Sequence, residues 1–262
     1  MKNSYIVVGI VLVAVVIVLL LFAPRWFGEE EAPPPPPPTE VPAEPAPSPV
    51  PEAVTPSMPD VEPAAPPLPE LEESDELVKE ALAPMEIPEA WIEQGDLVRR
   101  LAVVVENAAR GDYPRRQLGF LAPAGPFRVL ERDDGSEDGS YVMDPAGYDR
   151  YDGYVDMLEK MPPAEMAGLL ERIEPLLGQA LSELGVEGDP DSVLNAAIEQ
   201  ALAVPVLEGE VRLEQPNVLF VYADPELESL SPLQKQMLRT GPDNVRRIQA
   251  YLREVRAALP SR

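Results

Sequence analysis

The chain has 262 residues, a net charge of −25, and neither cysteine nor histidine. Those absences remove disulfides, thiolate nucleophiles, Cys/His zinc sites, and every triad or dyad built on histidine. The acidic balance disfavours nucleic acid, whose phosphates need Lys and Arg, and points to basic surfaces, divalent cations or neutral polymers.

Ile6–Ala23 is an uncharged run, apolar apart from Gly9. At ~1.5 Å per residue it spans roughly 27 Å, close to the hydrocarbon thickness of a bilayer. It ends Phe22-Ala23-Pro24-Arg25-Trp26-Phe27 with no small-x-small cleavage site, so it reads as an uncleaved signal anchor rather than a signal peptide. Tyr5 and Trp26-Phe27 suit the two interfaces. Lys2 and the α-amine outweigh Arg25, which Glu29-Glu30-Glu31 follows. The positive-inside rule then keeps residues 1–5 in the cytoplasm and sends the rest across. The expected place is a bacterial inner membrane, crossed once at Ile6 to Ala23, with the C-terminal domain in the periplasm.

Residues 24–69 read as a linker. Between Glu29 and Pro69, 17 of 41 residues are proline and eight are acidic, with no basic residue. Such a segment is extended polyproline II, and at ~3.1 Å per residue it reaches up to about 127 Å.

Residues 70–262 carry the folded domain. Ser74 is expected to cap a short helix to Leu82, closed by Pro84 and Pro88. Asp96 opens Leu97–Arg110, whose Leu97, Leu101, Val104, Val105 and Ala108 form one stripe, and Gly111 stops it. Phe127–Glu131 and Ser140–Met143 flank the acidic loop Asp133–Gly139 as a β-hairpin. Asp144-Pro145 is expected to open a helix carrying Tyr148, Tyr151, Val155 and Leu158. The same Asp-Pro start recurs at Asp189-Pro190 and Asp224-Pro225. Between the starts at Asp144 and Asp189 lies Ala164–Leu184, with a stripe from Leu169 to Leu184 and Pro175 positioned to kink or divide it. Val211–Leu213 and Val218–Tyr222 suggest a second hairpin. Ser231-Pro232-Leu233-Gln234 and Thr240-Gly241-Pro242-Asp243 both read as capping boxes. The last helix runs to about Leu259, with Val245, Ile248, Leu252 and Val255 facing inward. The expected fold is mainly α: a multi-helix C-terminal domain with one or two small β-hairpins, preceded by a transmembrane helix and a disordered Pro-rich linker.

The segments SDELVKEALA (74–83), LVRRLAVVVENAARGDYPRR (97–116), YVMDPAGYDRYDGYVDML (141–158) and VLFVYADPELESLSPLQKQMLRTGPDNVRRIQAYLREVRAAL (218–259) carry a resemblance. The chain resembles a family of bacterial membrane-anchored proteins catalogued as a domain of unknown function, number 3014 in that series. The resemblance covers roughly residues 70–259. It implies the plan of anchor, proline-rich spacer and helical domain, and no catalytic or binding residue.

Candidate chemistry is sparse. The loop Asp133–Gly139 offers acids at alternate positions, but an EF-hand numbered from Asp134 would place Pro145 where the bidentate Glu belongs. A solvated hairpin loop is therefore preferred. Tyr148, Tyr151 and Tyr154 alternate with Asp149, Asp152 and Asp156, a pattern that suits either a sugar platform or buried rings with wet hydroxyls; burial is the simpler reading. Ser231 and Lys235 are not at the S-x-x-K spacing. Residues 235–262 hold seven basic residues against Asp243 and Glu254. Arg246, Arg247, Arg253 and Arg256 fall largely opposite the apolar stripe and are the candidate partner-contact residues. A helix-hairpin-helix would need paired hairpin glycines, and only Gly241 is present.

These readings converge on a tethered interaction or scaffold module that meets an envelope protein or a cell-wall polymer. No enzyme activity, cofactor or metal is expected. The alternatives are a carboxylate enzyme acting on cell-wall material and a DNA-binding module.

Overall fold

A computed structural model describes residues 68–83, 93, 95–114, 123, 125–132 and 140–260. The apolar run 6–23, the linker through Pro67 and the acidic loop 133–139 lie outside the described residues. Among those described, no helix is long and apolar enough to cross a membrane.

The domain is mainly helical with a small antiparallel sheet. In chain order the elements are α1 (Ser74–Leu82), α2 (Leu97–Ala109), β1 (Val129–Arg132), β2 (Ser140–Met143), α3 (Asp152–Glu159), α4 (Pro163–Glu183), α5 (Pro190–Leu202), β3 (Arg212–Glu214), β4 (Val221–Tyr222), α6 (Pro225–Glu228), α7 (Pro232–Leu238) and α8 (Pro242–Ala258). Helices α2, α4, α5 and α8 pack on one another as the centre. Their apolar stripes meet in one core that includes Leu101, Val105, Leu169, Ile173, Ile198 and Leu252. Val245, Ile248, Leu252 and Val255 of α8 are all buried, as the 3.6-residue spacing requires.

The two expected hairpins are one sheet, in the order β1-β2-β3-β4. Val142 of β2 pairs with Leu130 on one side and Arg212 on the other, and that second, long-range pairing joins the hairpins. On the face towards the core, the Tyr141 and Phe220 rings meet edge to face, 5.0 Å between centroids.

Three local starts behave as their residues dictate. Asp189 accepts from Ser192 N at 3.2 Å and Asp224 from Glu226 N at 2.9 Å, and Ser231 with Gln234 forms a complete capping box. Gly111, at φ +78, ends α2.

Other starts differ. Ser74 is not a cap: a 3-10 turn, Leu71–Glu73, leads into α1, and the buried Ser74 hydroxyl donates back to Leu71 O at 2.7 Å. Asp96 flanks α2, but its own side chain caps nothing; Asp75 of α1 accepts from Asp96 N and Leu97 N, both at 2.8 Å. Asp144 caps a 3-10 turn, Pro145–Gly147, and a second, Asp149–Tyr151, precedes α3, so the α-helix begins only at Asp152. Thr240 forms no capping box: it is buried, its hydroxyl donates to Met237 O at 2.8 Å, and Gly241 occupies the cap position instead. Helix α4 is continuous through Pro175, which excludes the divided form; Pro175 lies on the exposed face, where water can reach the carbonyl its missing N–H leaves unpaired. Leu184 is exposed rather than part of the stripe, because the helix ends one residue before it.

Candidate functional site

The sheet, the tyrosine-bearing turns and the start of α8 enclose a cleft of about 760 Å³. Its position follows from local chemistry. Asp144, at the end of β2, caps Ala146 N at 3.0 Å and pairs with Arg128 at 2.8 Å, which turns the chain sharply after the strand. Tyr148 is thereby laid against Gly241. A Cβ at Gly241 would come within 2.5 Å of the Tyr148 ring, and the glycine's φ +88, ψ 160 belongs to a region essentially reserved for glycine. Only glycine lets α8 begin so close to that ring.

The lining combines apolar and acidic side chains. Leu130, Val142, Met143, Pro145 and Tyr148 supply the apolar wall, and Leu130 stays 48% exposed. Asp149, Asp152, Glu210 and Asp243 stand around it, all exposed, with Arg247 as the one cation in the lining among the described residues. Burial, and then the Asp144 charge, push the Tyr148 hydroxyl above its usual pKa, so it stays a neutral donor at physiological pH.

Arg247 is held by a clasp. Its guanidinium donates to Glu159 at 2.9 and 2.6 Å and to Asp156 at 2.6 Å. The Arg247 hydrogen bonds draw the Glu159 carboxyl below the usual carboxylate range, and Glu159 pushes Arg247 higher still. Beside it the buried Asn244 amide donates to Asp152 at 2.8 Å and to Thr240 O at 3.1 Å. Together these ties fix α3 to the first turns of α8, one side of the cleft.

The four candidate partner arginines have different neighbours. Arg247 lines the cleft; Arg246 pairs with Glu208 and Asp243, Arg256 with Glu199, and Arg253 donates to Gln249 at 3.4 Å. The tyrosines divide as well. Tyr151 is buried, and its hydroxyl is not wet but accepts from Arg150 at 2.9 Å; Tyr148 and Tyr154 are half-buried. Tyr151 ends the 3-10 turn Asp149–Tyr151, whereas Tyr154 lies on the α-helix α3, so the spacing of three spans two kinds of helix. Ser231 caps α7 and Lys235 is tied to Glu228 at 2.6 Å, so both have structural partners. Glu174, Asp189 and Asp191 bring carboxylate oxygens within 4.8 Å of one another, but Asp189 caps α5 and the positive end of that helix accounts for the gathering.

Sequence reasoning missed Leu130, Asn244 and Thr240. Asn244 did leave a signal: it shares the stripe of Ile248, Tyr251 and Val255, where a polar residue must find a buried partner.

A family model described as "Protein of unknown function (DUF3014)" matches residues 97–256. The chain belongs to this family. The matched range runs from the first residue of α2 almost to the end of α8, and so contains every residue named in the cleft. No curated protein and no solved structure matches the chain.

Proposed function

We propose that this chain is a single-pass protein of the bacterial inner membrane, held by Ile6–Ala23, whose helical domain in the periplasm is an interaction module with the cleft as its contact face. The observation that carries the reading is the cleft itself: an apolar wall with an exposed leucine, rimmed by polar groups, as binding surfaces are built. Among the described residues, its lining holds no serine, lysine, cysteine or histidine that would serve as nucleophile or base. The rim carboxylates are exposed, whereas a carboxyl acting as general acid needs burial. Both features favour capture over turnover of cell-wall material. The pairing of Arg246, Arg247 and Arg256 with acids of the same chain likewise counts against a DNA-binding face. On this reading the proline-rich segment is the arm that carries the module away from the membrane.

The test is photo-crosslinking in intact cells. A benzoylphenylalanine at position 130 should yield a discrete adduct, and the same probe at Leu184, which is equally exposed but outside the cleft, should not. Equal labelling from both positions defeats the reading. A phosphatase fused after Arg262 should be active only outside the cytoplasm.

A further inference from the structure

We propose that the cleft takes an extended, arginine- or lysine-bearing segment of a partner protein; this rests on the interaction-module reading. The charges decide the chemistry. Glu210 is engaged by Arg132, and Asp243 by Arg246. The Asp149 carboxylate has no hydrogen bond or ion pair among the described residues, and Asp152 uses one oxygen on Asn244, leaving the other open. Arg247 cannot neutralise this pair, because its guanidinium is turned to Asp156 and Glu159. The cleft thus offers two carboxylates three residues apart in the same lining as its apolar wall.

A basic side chain fits both parts. Its methylene stem would lie on Leu130, Pro145 and Tyr148 while its cationic head reaches Asp149 and Asp152. A guanidinium can also stack on the Tyr148 ring, as Arg150 does on Tyr151 at 4.8 Å elsewhere in the molecule. An extended backbone suits a cleft one wall of which belongs to β1, the end strand of the sheet. The chain's own arm is the wrong occupant: residues 29–69 carry eight acids and no base. Nucleic acid fails on the same sign.

The experiment uses the full-length chain in detergent micelles. Fluorescence anisotropy follows a labelled twelve-residue peptide of alternating Arg, Ala and Leu, and the same peptide with citrulline, the neutral isostere, at each Arg. The arginine peptide should bind at least tenfold more tightly. Asp149→Asn with Asp152→Asn should weaken it about tenfold; both sites are exposed, and the amide carbonyl introduced at position 152 still accepts from Asn244, so the fold is preserved. Glu171→Gln with Glu187→Gln removes the same charge away from the cleft and should change binding less than twofold. Equal affinity for the citrulline peptide, or an equal loss from the Glu171 and Glu187 pair, overturns the proposal, since the first makes the contact purely apolar and the second assigns it to the field of the whole acidic chain. Tighter binding after deletion of residues 29–69 would make the arm the resident occupant, and self-association abolished by the Asp149 and Asp152 substitutions would make it a second copy; either outcome overturns it. Failure of the peptide while the position-130 crosslink persists defeats the cationic assignment alone. Absence of both defeats the module reading with it.

Discussion

Arg99 and Arg247 are built alike and stand at different kinds of place. Arg99 of α2 donates to Glu183 of α4 at 2.7 Å and to Glu72 at 2.6 Å, and its hydrogen bonds lower both carboxyls. Arg247 of α8 likewise donates to Glu159 and Asp156 of α3, and its hydrogen bonds lower the Glu159 carboxyl. Beneath Arg99, however, α2 and α4 are already joined by full apolar stripes, including Leu101, Val105, Leu169 and Ile173. Beneath Arg247, α3 offers only Val155 and Leu158 as fully buried side chains, and the space beside it is the cleft. One clasp closes a seam over a filled core, and the other holds a wall that packing alone holds weakly. The same chemistry therefore has different expected consequences: loss of Arg99 should leave the cleft unchanged, and loss of Arg247 should reshape it.

The largest effect should come from a change that ignores this distinction. Leu252→Asp puts an unpaired carboxylate at a site 2% exposed, at a cost of about 4 kcal/mol or more, enough to unfold a marginally stable domain. Urea denaturation should show both sides lost together. If the helical core survives while the cleft side melts, the two regions are separate folding units and the comparison must be redrawn.

Next in size is Gly241→Ala, which acts on the cleft side alone. The new Cβ would need the Tyr148 ring to move and the backbone to leave a glycine-only conformation, about 3 kcal/mol together. Circular dichroism should give a lower melting temperature with native helicity retained, and crosslinking from position 130 should fall. On the other side, Asp75→Ala removes the acceptor of two backbone N–H groups at the start of α2. About 1.5 kcal/mol should be lost with the cleft's binding unchanged, and Asp75→Asn should lose less because one acceptor remains.

What the sequence made legible follows the same division. The stripes of α2, α4, α5 and α8 could be read because each residue's neighbours on a helix are three and four positions away. The Asp189, Asp224 and Ser231 caps could be read for the same reason: their partners lie two or three residues on. Asp75 could not, since its partners are 21 and 22 residues downstream. The cleft is assembled from positions as distant as Leu130, Tyr148 and Gly241, and its wall depends on two-residue to four-residue strands whose pairing leaves almost no periodicity. The Asp-Pro start at Asp144 gave the right position but the wrong helix type. The family resemblance was readable because it lies in residue identities along the chain rather than in contacts across it.

The smallest effect tests the clasps themselves. Arg247→Ala removes a bidentate bond to Glu159 and a bond to Asp156, at a site that solvent still screens, so about 1 kcal/mol is expected near neutral pH. Arg246→Ala, whose partners Glu208 and Asp243 are more exposed, should cost less than about 0.5 kcal/mol. The pH dependence separates an ion pair from lost packing. Glu159 has a folded pKa below the usual carboxylate value near 4.5, so the pair's contribution is fully present above that value and disappears as pH falls through the folded pKa. The stability gap between the native chain and Arg247→Ala should therefore be constant from neutral pH down to about pH 5.5 and close progressively below about 4.5. Added salt should narrow it at neutral pH. A gap that persists unchanged into acid would mean that Arg247 acts through its methylene stem against α3. The cleft wall would then be held by packing after all, and the contrast with Arg99 would lose its electrostatic basis.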